Sequence, residues 1–329
     1  MSTDTGTAAR GTRTRPRQAA YGLFEVQVAA VQRLGASFVR LTFTSPELAG
    51  FGAGGYDQRI KLLLLKEPFA AHDVPGDDWY TWWRELPEDV RPTMRTYTVR
   101  AFRPATAHAQ AELDVDFVLH GVQDGQGGHA GPASRWAAEA VVGDALVLVG
   151  PTAPGGGRAW GVEWAPPAEA RTLLLAGDET AVPAVSAILE QLPAGVKATA
   201  LLEVPSAGDL TGLLSEADLT VEWLPRNGSH APGELLQRRV HEVASALVDE
   251  VSAQAAPGTE LEDVDLDAGI LWEVPEHAVA SGPQALYAWL AGECGVVKAL
   301  RRHLVREVGV PRTSVAFMGY WREGRAEGE

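Results

Sequence analysis

The hydrophobic pattern changes character at Pro151, and one uniform layer of structure cannot satisfy both halves. Upstream, short apolar runs alternate with polar residues as strands do. They are Phe24 to Val28, Phe38 to Phe43, Ile60 to Leu65, Arg95 to Val99, Val115 to Leu119 and Ala145 to Val149. Several short strands spaced by turns predict an antiparallel β-barrel. Downstream, an apolar run at Leu173 to Ala176 ends in Gly177, a helical pattern covers Ala181 to Leu192, and strands follow at Ala198 to Val204 and Leu219 to Leu224. That alternation predicts a parallel sheet in a second, Rossmann-like α/β domain. Gln284 to Leu290 and Gly295 to Val308 also read as helical, the second stopping at Gly309-Val310-Pro311. The chain thus divides into a solvated tail (1–20), a barrel domain (21–153), a Gly/Pro-rich linker (154–168) and an α/β domain with a C-terminal helix and tail (169–329). The Trp-rich segment Asp77 to Glu88 reads as a surface loop or flap, and Glu234 to Asp267 carries no motif.

Charge limits the partners. Lys and Arg number 28 against 43 Asp and Glu, a net charge of -15. A phosphate backbone repels such a chain unless a local basic patch intervenes, which argues against nucleic acid and anionic membrane surfaces. No run approaches the roughly 20 apolar residues of a membrane helix, and no apolar signal core opens the sequence. A cytoplasmic protein without membrane insertion is expected. Cys294 is the single cysteine. One thiol makes no internal disulfide, and an iron–sulfur cluster takes about four ligands. A chain like this moves electrons only with an organic cofactor.

Two segments offer a place for one. On a strand, Arg95, Tyr97 and Val99 share one face and Thr96, Thr98 and Arg100 the other. A flavin site needs a cation for a pyrophosphate, a flat ring against the isoalloxazine and a hydroxyl near its reactive nitrogen; Arg, Tyr and Thr supply these. An ordinary barrel strand with an exposed Arg reads the same way. Further on, Asp116 to Gly121 leads into the glycine-rich loop Gly125 to Gly131, and Pro132-Ala133-Ser134 opens a helix. Unpaired N–H groups at a helix start, with small residues around them, accept an anion such as the pyrophosphate of FAD. A normally capped helix, with Ser134 a local hydrogen bonder and His120 a core histidine, remains open.

Four blocks in order resemble the siderophore-interacting proteins, a branch of the ferredoxin-reductase-like flavoenzymes. They are Arg95 to Arg100; His120-Gly121 with Gly131 to Ala137; Gly177 to Ala184; and Trp289 to Glu293, closing with Gly319 to Gly324. The resemblance spans about Phe24 to Gly324. It implies a two-domain ferredoxin-reductase-like fold, with an FAD-binding barrel and an NAD(P)H-binding-like domain. It implies FAD as cofactor, NADH, NADPH or a ferredoxin-like protein as electron donor, and ferric siderophores as substrates whose iron leaves as Fe(II). Carried over residue by residue, Arg95, Thr96, Tyr97, Thr98, Val118, His120, Gly121, Gly131, Ala133 and Ser134 would hold FAD. Tyr97 and Thr98 would stand at the reacting ring. Asp178 and Thr180 would face the flavin or the nicotinamide, although Asp178 and Glu179 also suit a helix cap. Tyr320 and Trp321 would return over the flavin or the pocket mouth.

A hydride donor delivers two electrons and ferric iron accepts one, so a flavin suits the exchange and the protein contributes positioning and electrostatics. The siderophore keeps the iron, so no protein metal ligands are expected. An anionic ferric complex needs local cations, for which Lys61, Arg135 and Arg322 are candidates beside the cofactor blocks; solvated surface cations are the alternative. Arg226, after the third strand of the α/β domain, is a candidate for the 2′-phosphate of NADPH or a loop Arg in solvent. Two other functions fit the same blocks: a ferredoxin- or flavodoxin-type reductase with a protein partner, and a siderophore-binding protein without activity.

Overall fold

The computed structural model of the chain describes residues 21–67, 69–76, 78–121, 130–152, 161–167, 170, 172–251, 272–274 and 286–324. The tail, residues 122–129 of the glycine-rich loop, residues 153–160 of the linker and the acidic end of the 234–267 segment lie outside them.

Seven strands make the first sheet: β1 (Tyr21–Arg33), β2 (Phe38–Thr44), β3 (Arg59–Leu64), β4 (Thr93–Thr98), β5 (Ala101–Arg103), β6 (Glu112–Val118) and β7 (Ala145–Pro151). Neighbours run antiparallel in the order β4-β3-β7-β1-β2-β6-β5. β4 and β5 therefore occupy opposite edges although only two residues separate them. Those residues span roughly 10 Å at most, so the sheet curls until its edges meet. Two bonds close the seam, Val99 N–H to the Gln58 carbonyl (2.8 Å) and Arg100 N–H to the Asp114 carbonyl (2.9 Å). Alternating residues fill the interior, among them Leu41, Phe43, Leu62, Leu113, Val115 and Leu148.

The Trp-rich segment expected as a loop is a helix, α1 (Trp79–Glu85). Trp79, Trp82 and Trp83 pack on Leu63, Val147 and Val149 of the outer barrel face, and this burial selects helix where composition suggested a loop. α2 (Pro132–Glu139) lies against β2, β4 and β6, with Trp136 stacked on Phe43 and tilted against Phe117.

The second sheet has the order β10-β9-β8-β12-β13-β11. β8 (Thr172–Gly177), β9 (Lys197–Val204), β10 (Asp218–Pro225), β12 (Leu286–Glu293) and β13 (Val315–Trp321) run parallel; β11 (Trp272–Glu273) is antiparallel. α3 (Val182–Leu189) covers one face with Leu173, Leu175 and Leu202, while α4 (Glu234–Val251) and α5 (Cys294–Arg302) cover the other with Leu174, Ala176 and Leu201. The expected helix at 284–290 is corrected by β12, whose Leu286 to Ala291 are all buried. A central parallel strand is apolar on both faces, so its pattern lacks the alternation that marks a strand.

The two halves share a boundary. Phe38 and Val118 of the barrel join the α3 side of the second core. Arg100 makes a two-pronged ion pair with Glu190 (2.6 and 2.8 Å), and Ser37 N–H donates to Asp209 Oδ1 (2.5 Å). Buried Asp57 accepts from the backbone of Glu163 and Trp164 and from Trp289 Nε1 (3.3 Å), and burial pushes its pKa up to about 6. No helix of the described residues is long and apolar enough to cross a membrane.

Candidate functional site

β4 carries the first block. Its register sets Tyr97 opposite Ile60, Arg95 opposite Leu62 and Thr96 opposite Lys61. The Tyr97 ring is half-buried against Phe117, centroids 4.3 Å apart and tilted by 45°. Thr98 is buried at the end of the strand. Arg95 Nη1 donates to the Met94 carbonyl (2.8 Å), and Lys61 Nζ donates to Thr96 Oγ1 (2.5 Å). Lys61 thus stands on the outer barrel face, two residues along β3 from Leu63 under the α1 tryptophans.

α2 starts where an anion can approach. Pro132 has no N–H, and the Ala133 and Ser134 N–H groups precede the first intrahelical bond, from Arg135 N–H to the Gly131 carbonyl (3.1 Å). Among the described residues nothing lies within 4 Å of a Cβ built at Gly131, and the residue is exposed. Ser134 Oγ is otherwise engaged: it donates to the Val118 carbonyl (2.9 Å) and ties α2 to β6. Arg135 points outward, exposed. A half-covered aromatic ring on β4 and an open helix start above the same curled sheet fit the isoalloxazine and pyrophosphate of FAD.

The second sheet changes direction between β8 and β12, and in open α/β sheets the ligand crevice lies at the carboxyl ends there. Gly177 ends β8 against Ala181 and the Ala291 carbonyl, with no room for a Cβ. Asp178 follows, buried, with four donors on its carboxylate. Thr180 N–H and Oγ1–H reach Oδ1; Glu293 N–H and Trp321 Nε1–H reach Oδ2, both at 2.8 Å. Burial, with the charge of Glu179 beside it, raises its pKa to about 6. Gly292 adopts φ +142°, and a Cβ there would stand 2.5 Å from Asp178 Oδ2.

Glu179 turns the other way. It pairs with Arg226 through both oxygens (2.7 and 2.8 Å), and Arg226 also reaches Glu203 (3.0 Å), itself fully buried. Burial opposes the Arg226 charge, but the two carboxylates outweigh it and hold the guanidinium protonated. His120 Nδ1 sits 3.7 Å from Glu179, and its ring centroid lies 6.4 Å from that of Trp321. Partial enclosure at the cleft holds the His120 pKa below its ordinary value, against the pull of Glu179, although the side chain is still 45% exposed.

The fold therefore gathers His120 of the barrel with Asp178, Glu179, Thr180 and Trp321 of the α/β domain at one cleft. Gly121, next to His120, takes φ +66° where the chain leaves β6. Tyr320 packs instead against Trp272 and Trp289, its buried hydroxyl lacking a partner among the described residues. The three candidate substrate cations sit on separate elements: Lys61 on β3, Arg135 on α2 and Arg322 past β13, near enough to Cys294 to act on its thiol. Arg226 is a largely covered ion-pair partner, 11% exposed, rather than a loop Arg in solvent. Sequence reasoning missed Glu203 and Asp57, since neither lies in a motif; a lone acid inside an apolar strand, as at Leu202-Glu203-Val204, was the signal available for the first.

Two family models match the chain, the siderophore-interacting FAD-binding domain over residues 27–155 and the siderophore-interacting protein over residues 170–324. The chain is 28% identical over 293 residues to the ferric vibriobactin reductase ViuB of Vibrio cholerae, covering 88% of this chain and 86% of that one. It is 28% identical over 222 residues to an NADPH-dependent ferric-chelate reductase of Escherichia coli, covering 66% of this chain and 76% of that one. The crystal structure of the siderophore-interacting protein SipS from Aeromonas hydrophila superposes with a TM-score of 0.60 at 31% identity, covering 94% and 95% of the two chains.

Proposed function

The chain belongs to the siderophore-interacting protein family, with the ferredoxin-reductase-like fold, and from that premise we propose how it reduces iron in ferric siderophores. It is an FAD-dependent oxidoreductase that takes electrons from NADPH or NADH and releases the iron as Fe(II). The observation that carries this reading is the cleft itself: the end of β6 and the carboxyl ends of β8, β12 and β13 meet at His120, Glu179 and Trp321. A flavin held by the barrel and a nicotinamide held by the α/β domain face one another only at such a seam.

Bound FAD supplies the exchange between a two-electron hydride donor and a one-electron acceptor. The protein's own groups hold and orient. Tyr97 offers a ring face, Thr98 a hydroxyl at the strand end, and Arg95 with the Ala133 and Ser134 N–H groups a seat for the pyrophosphate. Val118 anchors α2 in that position through Ser134. Asp178 and Thr180 line the nicotinamide side. Because Arg226 is neutralised by Glu179 and Glu203, it organises the crevice rather than reading a 2′-phosphate. Lys61 on the outer face of β3, Arg322 past β13 and Arg135 on the exposed face of α2 are the cations offered to the anionic iron complex. The reaction takes place in the cytoplasm, where reduced nicotinamide is available.

The test is anaerobic reduction of the purified yellow protein by NADPH and NADH, then addition of a ferric siderophore with a coloured Fe(II) chelator. Flavin bleaching followed by reoxidation and stoichiometric Fe(II) is expected. A colourless protein, or a reduced flavin that no ferric siderophore reoxidises, overturns the reading.

A further inference from the structure

We propose that Asp178 is a positioning residue whose carboxylate seats the Trp321 indole as a wall of the β8–β12 crevice, and thereby sets access of the nicotinamide donor. This rests on the reading of that crevice as the donor's entry. The geometry is specific. Asp178 Oδ2 accepts both Trp321 Nε1–H and the Glu293 backbone N–H at 2.8 Å, so one oxygen joins the ends of β8, β12 and β13. Its other oxygen is held by Thr180 N–H and Oγ1–H, which leaves the carboxylate a single orientation. The backbone is shaped around it, since a side chain at Gly292 would collide with Oδ2. Trp321 is the last residue of β13, partly exposed, and turns its ring toward His120 across the cleft.

A buried carboxylate accepts at both oxygens while ionised; once protonated it carries a donor on one oxygen and loses an accepted bond there. Burial and Glu179 place that change near pH 6. The titratable and charged groups around it are Glu179 on the same turn, Arg226 beyond Glu179, Glu293 and the neutral thiol of Cys294 at the β12–α5 junction, Tyr320 and Arg322 on either side of Trp321, and His120 from the barrel. His120 titrates below its ordinary value and faces the same ring, so it must be separated from Asp178 by experiment.

The indole N–H of Trp321 reports directly. In protein labelled at tryptophan 15N, Trp321 is assigned by the signal lost in Trp321→Phe, which removes the indole N–H together with one of the two fused rings. The signal should shift with a midpoint near pH 6 in wild type and in His120→Gln, and should not titrate in Asp178→Asn. On the holoenzyme, the KM for the donor should rise roughly three- to tenfold as pH falls through 6, the worth of one hydrogen bond in a binding equilibrium. In Trp321→Phe, KM for the donor should be raised at every pH and should no longer change with pH. A titration that disappears in His120→Gln overturns the assignment to Asp178. A Trp321 signal that titrates while KM stays constant, or a Trp321→Phe enzyme that keeps the wild-type pH profile, overturns the role in donor access. If neither nucleotide reduces the flavin, the functional reading fails instead, while the indole titration still decides whether Asp178 holds Trp321.

Discussion

At the scale of single residues, the central fact is that Arg226 is committed before any ligand arrives. Glu179 is 3% exposed and Glu203 is not exposed at all, and each depends on that guanidinium for its counter-charge. Arg226→Ala strands two buried carboxylates. We expect it to cost about 3–5 kcal/mol in urea unfolding at neutral pH, and to weaken NADPH and NADH alike. Arg226→Lys should recover only part, because an ammonium cannot bond both oxygens of Glu179 in one plane. A selective loss of NADPH with unchanged stability would restore the phosphate-binding role. Lys61 makes the complementary case. Its removal should lower kcat/KM for an anionic ferric catecholate by roughly tenfold and leave FAD in place, with a smaller effect at high salt. The measurement is kcat/KM of Lys61→Ala on catecholate and hydroxamate complexes at two ionic strengths; equal values for the variant and wild type on the catecholate place the substrate elsewhere.

At the scale of elements, α2 separates helix stability from cofactor binding. Its cap position is Gly131, with ordinary φ (-63°) and, among the described residues, free space around a Cβ. Asp is among the best capping residues, so Gly131→Asp should hold or slightly raise thermal stability. The same carboxylate competes with a pyrophosphate for the helix start, and a charge at that position is worth up to about 2 kcal/mol. FAD affinity, followed by flavin fluorescence during titration, should therefore fall, by up to about thirtyfold. Unchanged affinity would remove α2 from the cofactor site. Elements also show where local pattern stops being informative. Alternation marked β2 and β6, each with one face toward the barrel core, whereas the all-apolar Leu286 to Ala291 looked helical. The difference is burial on two faces, which depends on neighbours more than a hundred residues away in sequence.

At the scale of the whole molecule, two buried carboxylates give the fold an unusual response to pH. Asp57, at the boundary between the domains, and Asp178, at the cleft, both titrate near pH 6, above the ordinary 3.8. The folded chain therefore binds more protons than the unfolded chain between about pH 4 and 6, and their contribution to stability increases as pH falls through 6. By pH 5 the gain relative to pH 7.5 is on the order of 1 kcal/mol per group. The difference in denaturant midpoint between wild type and Asp57→Asn should move in favour of wild type as pH falls from 7.5 to 5, since His120 and His241, held below their ordinary pKa, oppose the gain equally in both; parallel profiles would count against Asp57. What the sequence determined by itself was the short-range part: the two-part architecture, the barrel strands, the open helix start at Gly131 and the Arg-x-Tyr-Thr strand, because each depends on residues a few positions apart. The tertiary structure decided which charges meet. Arg226 finds Glu179 from 47 residues away and Trp321 finds Asp178 from 143, and no periodicity encodes a pairing made by the crossing of strand ends.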